Sequence, residues 1–217
     1  MRPLGIFGGM FDPIHYGHLR TAYELFDLLG LESVAFVPAG TPPHRDAPLA
    51  DAATRLATVA AAIEGNARFT VDDRELRRKG PSYTVLTLEE LRAERGAQPL
   101  ALIMGMDAFA GLAAWHRASE LIGLAHIVVA VRPGAAPPVS GLPAELLRRN
   151  ACDDPALLAK SPAGRVLVNE GTQLIASSSA VRAIVAAGGD PQYLMPEAAR
   201  RIILATGSYA RPGERKE

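Results

Sequence analysis

The 217 residues carry 23 Lys and Arg against 23 Asp and Glu. This zero formal balance argues against a surface that coats nucleic acid, although a local basic pocket remains compatible with it. Apolar residues make up 48% and charged residues 21%, the composition of an ordinary globular chain with one α/β domain or one domain and a small appendage. A single cysteine, Cys152, excludes an intramolecular disulfide and a Cys-rich zinc site.

In chain order, residues 4–7 form a short apolar run that reads as a buried first strand. The turn Gly8-Gly9-Met10-Phe11-Asp12-Pro13-Ile14-His15-Tyr16-Gly17-His18 follows. Residues 19–29 then show helical apolar spacing (Leu19, Ala22, Tyr23, Phe26, Leu29). Residues 33–38 read as a second strand closed by Pro38, and 39–45 as a Pro- and Gly-rich loop. An Ala-rich helix is expected over 51–63 with Asp51 near its start, then a strand over 68–71. Residues 75–82 read as a polar, basic turn, and Arg74, Arg77, Arg78 and Lys79 as a solvated face. A helix over 83–95 takes Ser82 as its N-cap. Strand 100–104 ends in Gly105-Met106-Asp107, and a helical region runs through Trp115 to residue 122.

The fifth strand covers 126–131 and stops at Arg132-Pro133-Gly134. Residues 134–143, rich in proline, read as a surface loop, and 166–168 as a sixth strand. Two helices, over 177–187 and 196–206, precede a polar tail, 209–217, that is expected to fray. No internal repeats are visible. Strand–helix alternation with continuous apolar strands predicts an α/β fold with a doubly wound, mainly parallel sheet. The chain reads as one domain over 1–217, with a small C-terminal helical part at about 177–207 packing on it. The first residues lack the long apolar stretch of a signal peptide, and residues 124–131 are too short to cross a bilayer. A cytoplasmic protein with no membrane partner is therefore expected.

In such sheets ligands bind beyond the carboxyl ends of the strands. The turn at 8–18, the loop at 39–45, residues 105–115 and Arg132 should therefore converge on one cleft. Gly8 and Gly9 allow close backbone approach. His15 and His18 stand beside a helix start, where unpaired N–H groups and the positive dipole end favour an anion. A second such start is Ser177-Ser178-Ser179-Ala180-Val181-Arg182, with hydroxyls at the helix end and an arginine one turn in.

Neither common phosphate fingerprint is present. The first turn does match G-G-x-F-D-P-x-H-x-G-H residue for residue, and so resembles the nucleotidyltransferase superfamily related to class I aminoacyl-tRNA synthetases. The second resembles that superfamily's I-S-S-T-x-I-R signature, with Ala176, Ser179 and Val181 as conservative departures. Pro42-Pro43-His44-Arg45, Gly80-Pro81-Ser82-Tyr83-Thr84, Gly105-Met106-Asp107, Trp115-His116, Arg132-Pro133-Gly134 and Tyr193-Leu194-Met195-Pro196 together resemble the bacterial nicotinate-nucleotide adenylyltransferase family over nearly the whole chain. Leu86 departs from it, since the family usually has Asp there.

The resemblance implies attack of the 5′-phosphate of nicotinate mononucleotide on the α-phosphorus of ATP, giving deamido-NAD and pyrophosphate. Under it, His15, His18 and Arg182 are the catalytic residues. ATP would meet Gly8, Gly9, Phe11, His15, His18, Gly105, Asp107, Ser177, Ser178, Ser179 and Arg182. The mononucleotide would meet Met10, Arg45, Ser82, Tyr83, Thr84, Trp115 and Arg132. Mg²⁺ would be held mainly by the nucleotide phosphates, with no metal ligands from the protein. His44, His116 and His126 read as structural or packing residues. A homo-oligomer is compatible with this reading and nucleic acid is not a partner. The rival functions are a sister enzyme using another phosphate acceptor, such as phosphopantetheine, and a catalytically silent nucleotide-binding module. The stretches 80–84 and 105–116 fit the nicotinate family better than the first rival. Intact His15, His18 and Arg182 argue against the second. An RNA-binding synthetase fragment would need the basic excess and the length that this chain lacks.

Overall fold

A computed structural model describes residues 1–40, 47–131, 136–172 and 174–210. The expectations for Arg45, His44 and Arg132 fall outside these residues. Six parallel strands form one sheet in the order β3-β2-β1-β4-β5-β6. They are β1 (Leu4–Gly9), β2 (Ser33–Pro38), β3 (Phe69–Val71), β4 (Leu100–Gly105), β5 (His126–Val131) and β6 (Val166–Glu170). This is the doubly wound α/β arrangement expected from the alternation, with its reversal between β1 and β4.

Helices cover both faces because alternate strand residues point to opposite sides. Phe7, Phe36, Ile103 and Val128 enter one core with Ala22 and Leu25 of α1 (Tyr16–Leu29) and Val59 of α2 (Ala52–Ile63). Ile6, Leu102, Met104 and Val129 enter the other, with Leu88 of α4 (Thr84–Arg95), which follows the single turn α3 (Arg74–Arg77). Short helices α5 (Met106–Ala110) and α6 (Leu121–Leu124) and the longer α7 (Gly141–Asn150) complete this second layer. The C-terminal helices α8 (Ser178–Ala186) and α9 (Glu197–Thr206) place Val181, Val185, Ala199 and Ile203 in the first core. No described helix is long and apolar enough to cross a membrane.

Several local expectations need correction. The helical region through Trp115 is broken: α5 gives way to a 3₁₀ turn at Leu112–Ala114, Trp115 is extended, and Arg117 has φ 52°. Residues 134–143 are not all loop, since α7 starts at Gly141, where φ is 71° and Ser140 supplies the extended cap position. Tyr83, not Ser82, is the N-cap of α4. The stretch 75–82 opens with α3, whose Glu75 is buried. The basic run is solvated only in part. The Arg74 and Arg78 side chains are each 14% exposed and pair with Asp72, Glu90 and Glu94. The tail is not frayed at its start, because Tyr209 is buried.

One buried cation holds the cleft's floor. Arg55 of α2 is 2% exposed and donates from Nη1 to the carbonyl oxygens of Met10 (2.9 Å) and Ala39 (2.8 Å). It ties the end of β1 to the end of β2. Burial lowers its pKa, and the carboxylate of Asp12 pushes back. Arg55→Leu strips a donor from two carbonyls in a dry site. Equilibrium urea unfolding should show a loss of about 2–4 kcal/mol. An unchanged midpoint would mean that water replaces the guanidinium.

Candidate active site

A cleft of about 1140 Å³ opens beyond the carboxyl ends of β1 and β4, at the sheet's reversal point. It exceeds the roughly 300–1,000 Å³ of an ordinary small-ligand pocket. Its floor is bare backbone at two places. A Cβ built on Gly8 or on Gly105 meets no protein atom within 4 Å, so each glycine leaves room that a ligand can take.

The turn from Gly8 to His18 forms one wall. His15 is the N-cap of α1 in extended conformation and its ring stacks on His18, centroids 3.7 Å apart and planes 26° apart. Gly17 makes this possible. A Cβ there would lie 2.9 Å from the His15 ring and 3.2 Å from the carbonyl oxygen of Ala176. The backbone N–H of His15 donates to His18 Nδ1 at 3.3 Å, which leaves the proton of the neutral ring on Nε2. The edges of Phe7 and Phe11 close on the same imidazole, at 5.9 and 5.1 Å between centroids. This desolvation, with the charge of His15 added, holds the His18 pKa well below its usual value. The ring is therefore a neutral N–H donor before any anion arrives.

Phe11 lines the cleft, yet its side chain is only 2% exposed among Phe7 and Phe36. Its φ of 45° is left-handed, an uncommon state for a bulky residue.

The start of α8 forms the facing wall. Ser177 is the cap and accepts from the Ala180 N–H at 3.1 Å, as expected of a serine there. Ser178 Oγ donates to the Pro13 carbonyl at 2.8 Å. Arg182 donates from Nη1 to the Asp12 carbonyl at 2.7 Å and from Nη2 to Ser179 Oγ at 3.2 Å. Two helix starts thus meet across one cleft, bonded side chain to backbone. A guanidinium carries five N–H donors, so Arg182 keeps capacity for a further acceptor.

The remaining wall comes from α4, α5 and the segment after it. Met10, Ser82, Tyr83, Thr84, Gly105, Asp107 and Trp115 all line the cleft with Gly9 and the residues above. The Asp107 side chain stands at an exposed position on α5, and Trp115 is half-buried against the second core. Among the lining residues that the sequence reading did not single out as site residues are Glu75, Thr87 and His116. Glu75 is buried and accepts from Ser82 Oγ (2.5 Å) and Thr87 Oγ1 (2.7 Å), so Ser82 braces the wall instead of capping α4. His116, expected to be a packing residue, stacks on Tyr83 at 4.2 Å and 28° at the cleft. The only available signal for Thr87 was its spacing of four from Tyr83, which puts both on one helix face. His126 is structural as expected: Nδ1 accepts from the Arg165 N–H at 3.1 Å and Nε2 meets the Ser161 carbonyl at 2.8 Å. Leu86 is partly buried against the second core.

Among the described residues no group of three or more His, Cys, Asp and Glu could hold a metal ion. The Asp12 carboxylate is already taken by the N–H groups of Leu49 and Ala50, both at 3.0 Å, and by the Tyr209 hydroxyl. The donor set suits oxyanions, with imidazole, guanidinium, hydroxyl and helix N–H groups.

Comparison with known proteins agrees with this geometry. The cytidylyltransferase-like family matches residues 6–184. A protein of Dechloromonas aromatica named a probable nicotinate-nucleotide adenylyltransferase is 47% identical over 213 residues, covering 95% of this chain and 97% of its own length. One from Aeromonas hydrophila with the same name is 45% identical over 207 residues, with the same coverage of both chains. The solved structure of Plasmodium falciparum nicotinic acid mononucleotide adenylyltransferase complexed with NaAD shares the fold, with TM-score 0.72, 15% identity and coverage of 96% of this chain and 98% of that one. The chain belongs to the nicotinate-nucleotide adenylyltransferase family, within the cytidylyltransferase-like proteins.

Proposed function

We propose that the cleft transfers the adenylyl group of ATP to nicotinate mononucleotide, releasing pyrophosphate and forming deamido-NAD, with the labour divided as follows. A phosphate oxygen of the mononucleotide attacks the α-phosphorus of ATP. One P–O bond forms, and the bond from the α-phosphorus to the bridging oxygen breaks. The attacking oxygen is already anionic, so no protein nucleophile or base is needed. Catalysis rests on alignment and on stabilising charge at the transferring group and the leaving pyrophosphate. His18 Nε2–H and His15 serve the α- and bridging oxygens. Arg182, Ser178 and the start of α8 serve the β- and γ-phosphates. Asp107 is the candidate for the ATP ribose hydroxyls. Mg²⁺ enters as part of the MgATP substrate, coordinated by its phosphate oxygens.

The observation that carries this reading is the meeting of two anion-favouring helix starts, α1 and α8, tied by the 2.7 Å bond from Arg182 to the Asp12 carbonyl. The Tyr83–Thr84 start of α4 and the Trp115 ring then suit a flat, acid-substituted pyridine. The direct test pairs each nucleoside triphosphate with several phosphate acceptors, phosphopantetheine included, and scores pyrophosphate. ATP with nicotinate mononucleotide should exceed every other pair. Faster turnover with a different acceptor would reassign the enzyme.

Three further outcomes are expected. His18→Ala removes a preorganised donor, so kcat should fall on the order of 10²–10³ with a smaller change in KM. Near-normal kcat would remove His18 from the reaction. Arg182→Ala should weaken ATP use more than Arg182→Lys, which keeps charge but loses the planar fork, while binding of the mononucleotide alone changes little by calorimetry. Equal losses for both ligands would point to another site. Finally, helix N–H groups can donate to both oxygens of a carboxylate but face the NH₂ of an amide as donor to donor. Nicotinate mononucleotide should exceed nicotinamide mononucleotide in kcat/KM by at least roughly 10²-fold. Trp115→Ala should weaken both and preserve most of that ratio. Comparable values for acid and amide would overturn this account of the pocket.

A further inference from the structure

Tyr209 lies just beyond α9, is 5% exposed, and shares the first core with Val181 and Ile203. Its hydroxyl donates to Asp12 Oδ1 at 2.7 Å, bridging 197 positions of sequence. Asp12 is itself 7% exposed. The backbone N–H of Ala50 donates to Oδ1 and that of Leu49 to Oδ2, each at 3.0 Å. The carbonyl of the same residue accepts from Arg182. Three separate parts of the chain therefore meet on one residue, three positions before His15.

This matters because the turn does not hold its own shape. Phe11, next to Asp12, is left-handed at φ 45°, a state that costs roughly 1–2 kcal/mol without glycine. Such a residue persists only where its surroundings over-determine it. Arg55 holds the carbonyl before it and Asp12 anchors the residue after it. Of the three donors on the Asp12 side chain, the Tyr209 hydroxyl alone comes from a side chain. Burial, and then the adjacent carboxylate, push the phenol's pKa up, so it stays a proton donor.

We propose that Tyr209 is a positioning residue for adenylyl transfer: its hydroxyl fixes the Asp12 side chain, and with it the turn that sets His15 and His18 against Arg182. The proposal rests on the reading of the cleft given above. It gives the C-terminal segment a part in the reaction, although Tyr209 lies outside the lining of the cleft.

The test is Tyr209→Phe in the full chain, which keeps the ring in the core and deletes one hydrogen bond. Steady-state pyrophosphate release from ATP and nicotinate mononucleotide should show kcat lowered roughly 5–15-fold, the scale of one hydrogen bond, with both KM values within about twofold. Ile203→Val, in the same core but without a polar partner, should lose stability while keeping kcat. On an Asp12→Ala background, which lacks the acceptor, the Tyr209→Phe change should cost less than about twofold. Amide hydrogen exchange at residues 8–18 should be faster in Tyr209→Phe than in the parent. A Tyr209→Phe enzyme with kcat within twofold of the parent overturns the proposal, whatever its melting temperature. So does an equal kcat loss in Ile203→Val. If Tyr209→Phe does not fold, Asp12→Ala alone decides: a comparable kcat loss supports the proposal and parental kcat overturns it. If the parent itself releases no pyrophosphate from this substrate pair, the reading of the cleft has failed. Exchange at residues 8–18 then stands alone, and an unchanged rate overturns the positioning role.

Discussion

The bond from Arg182 to the Asp12 carbonyl, with its neighbour from Ser178 to the Pro13 carbonyl, is the constraint on which the cleft depends. Each helix start brings a partial positive charge and N–H groups that no helical carbonyl satisfies. Pointing two of them into one space, with a guanidinium between, is unfavourable unless something negative lies there. In the free protein the carbonyl dipoles of the turn supply that partial charge. A triphosphate supplies far more. The site is thus preorganised for an anion, and the side chains that brace it are the ones proposed to face the phosphates. Gly17 permits the approach, because any side chain there would strike the His15 ring.

Two histidines, one half-buried and one buried, show how geometry separates support from chemistry. His18 and His126 both have lowered pKa values, and desolvation is the leading cause in each. His126 spends both ring nitrogens on backbone partners, fastening β5 to the segment 161–165. Its shift is a by-product of burial. His18 commits Nδ1 to the His15 backbone and stands at the cleft wall between two phenyl edges and a second imidazole. A neutral imidazole can stay in that aromatic cage at little electrostatic cost, and a phosphate arriving beside it shifts the balance back toward the cation.

What could be read from the residues was whatever has a local cause. Apolar strands, glycine punctuation and serine or aspartate caps are short-range signals, and they placed six strands and the helix starts at Asp51 and Ser177 where the structure has them. All the candidate site residues within the described chain line one cleft, because the sheet's order brings the ends of β1 and β4 together. The misses have long-range causes. Nothing near Tyr209 reveals that its hydroxyl meets Asp12. The burial of Arg55 depends on carbonyls 45 and 16 positions away. Glu75 looked like one acid in a basic surface run, yet its partners are hydroxyls 7 and 12 positions on. The break at Trp115 depends on left-handed backbone at Arg117, which is not a glycine and gave no warning.

The departure from the family pattern at Leu86 falls in the second core, whereas Glu75 lies in the wall of the cleft. An anionic ring substituent at the start of α4 would sit against a wall that already buries a carboxyl group. That group is tolerable because its oxygens take two hydroxyl donors, and because Thr87 passes the contact on to Arg78, which in turn pairs with Glu90. The cation in this network, Arg78, is already paired with Glu90. Leu86, packed instead into the apolar second core, adds neither charge nor an unmet polar group. On the reading proposed above, the wall would discriminate through helix N–H groups and ring stacking, an arrangement that favours a carboxylate without a dedicated basic side chain among the described residues.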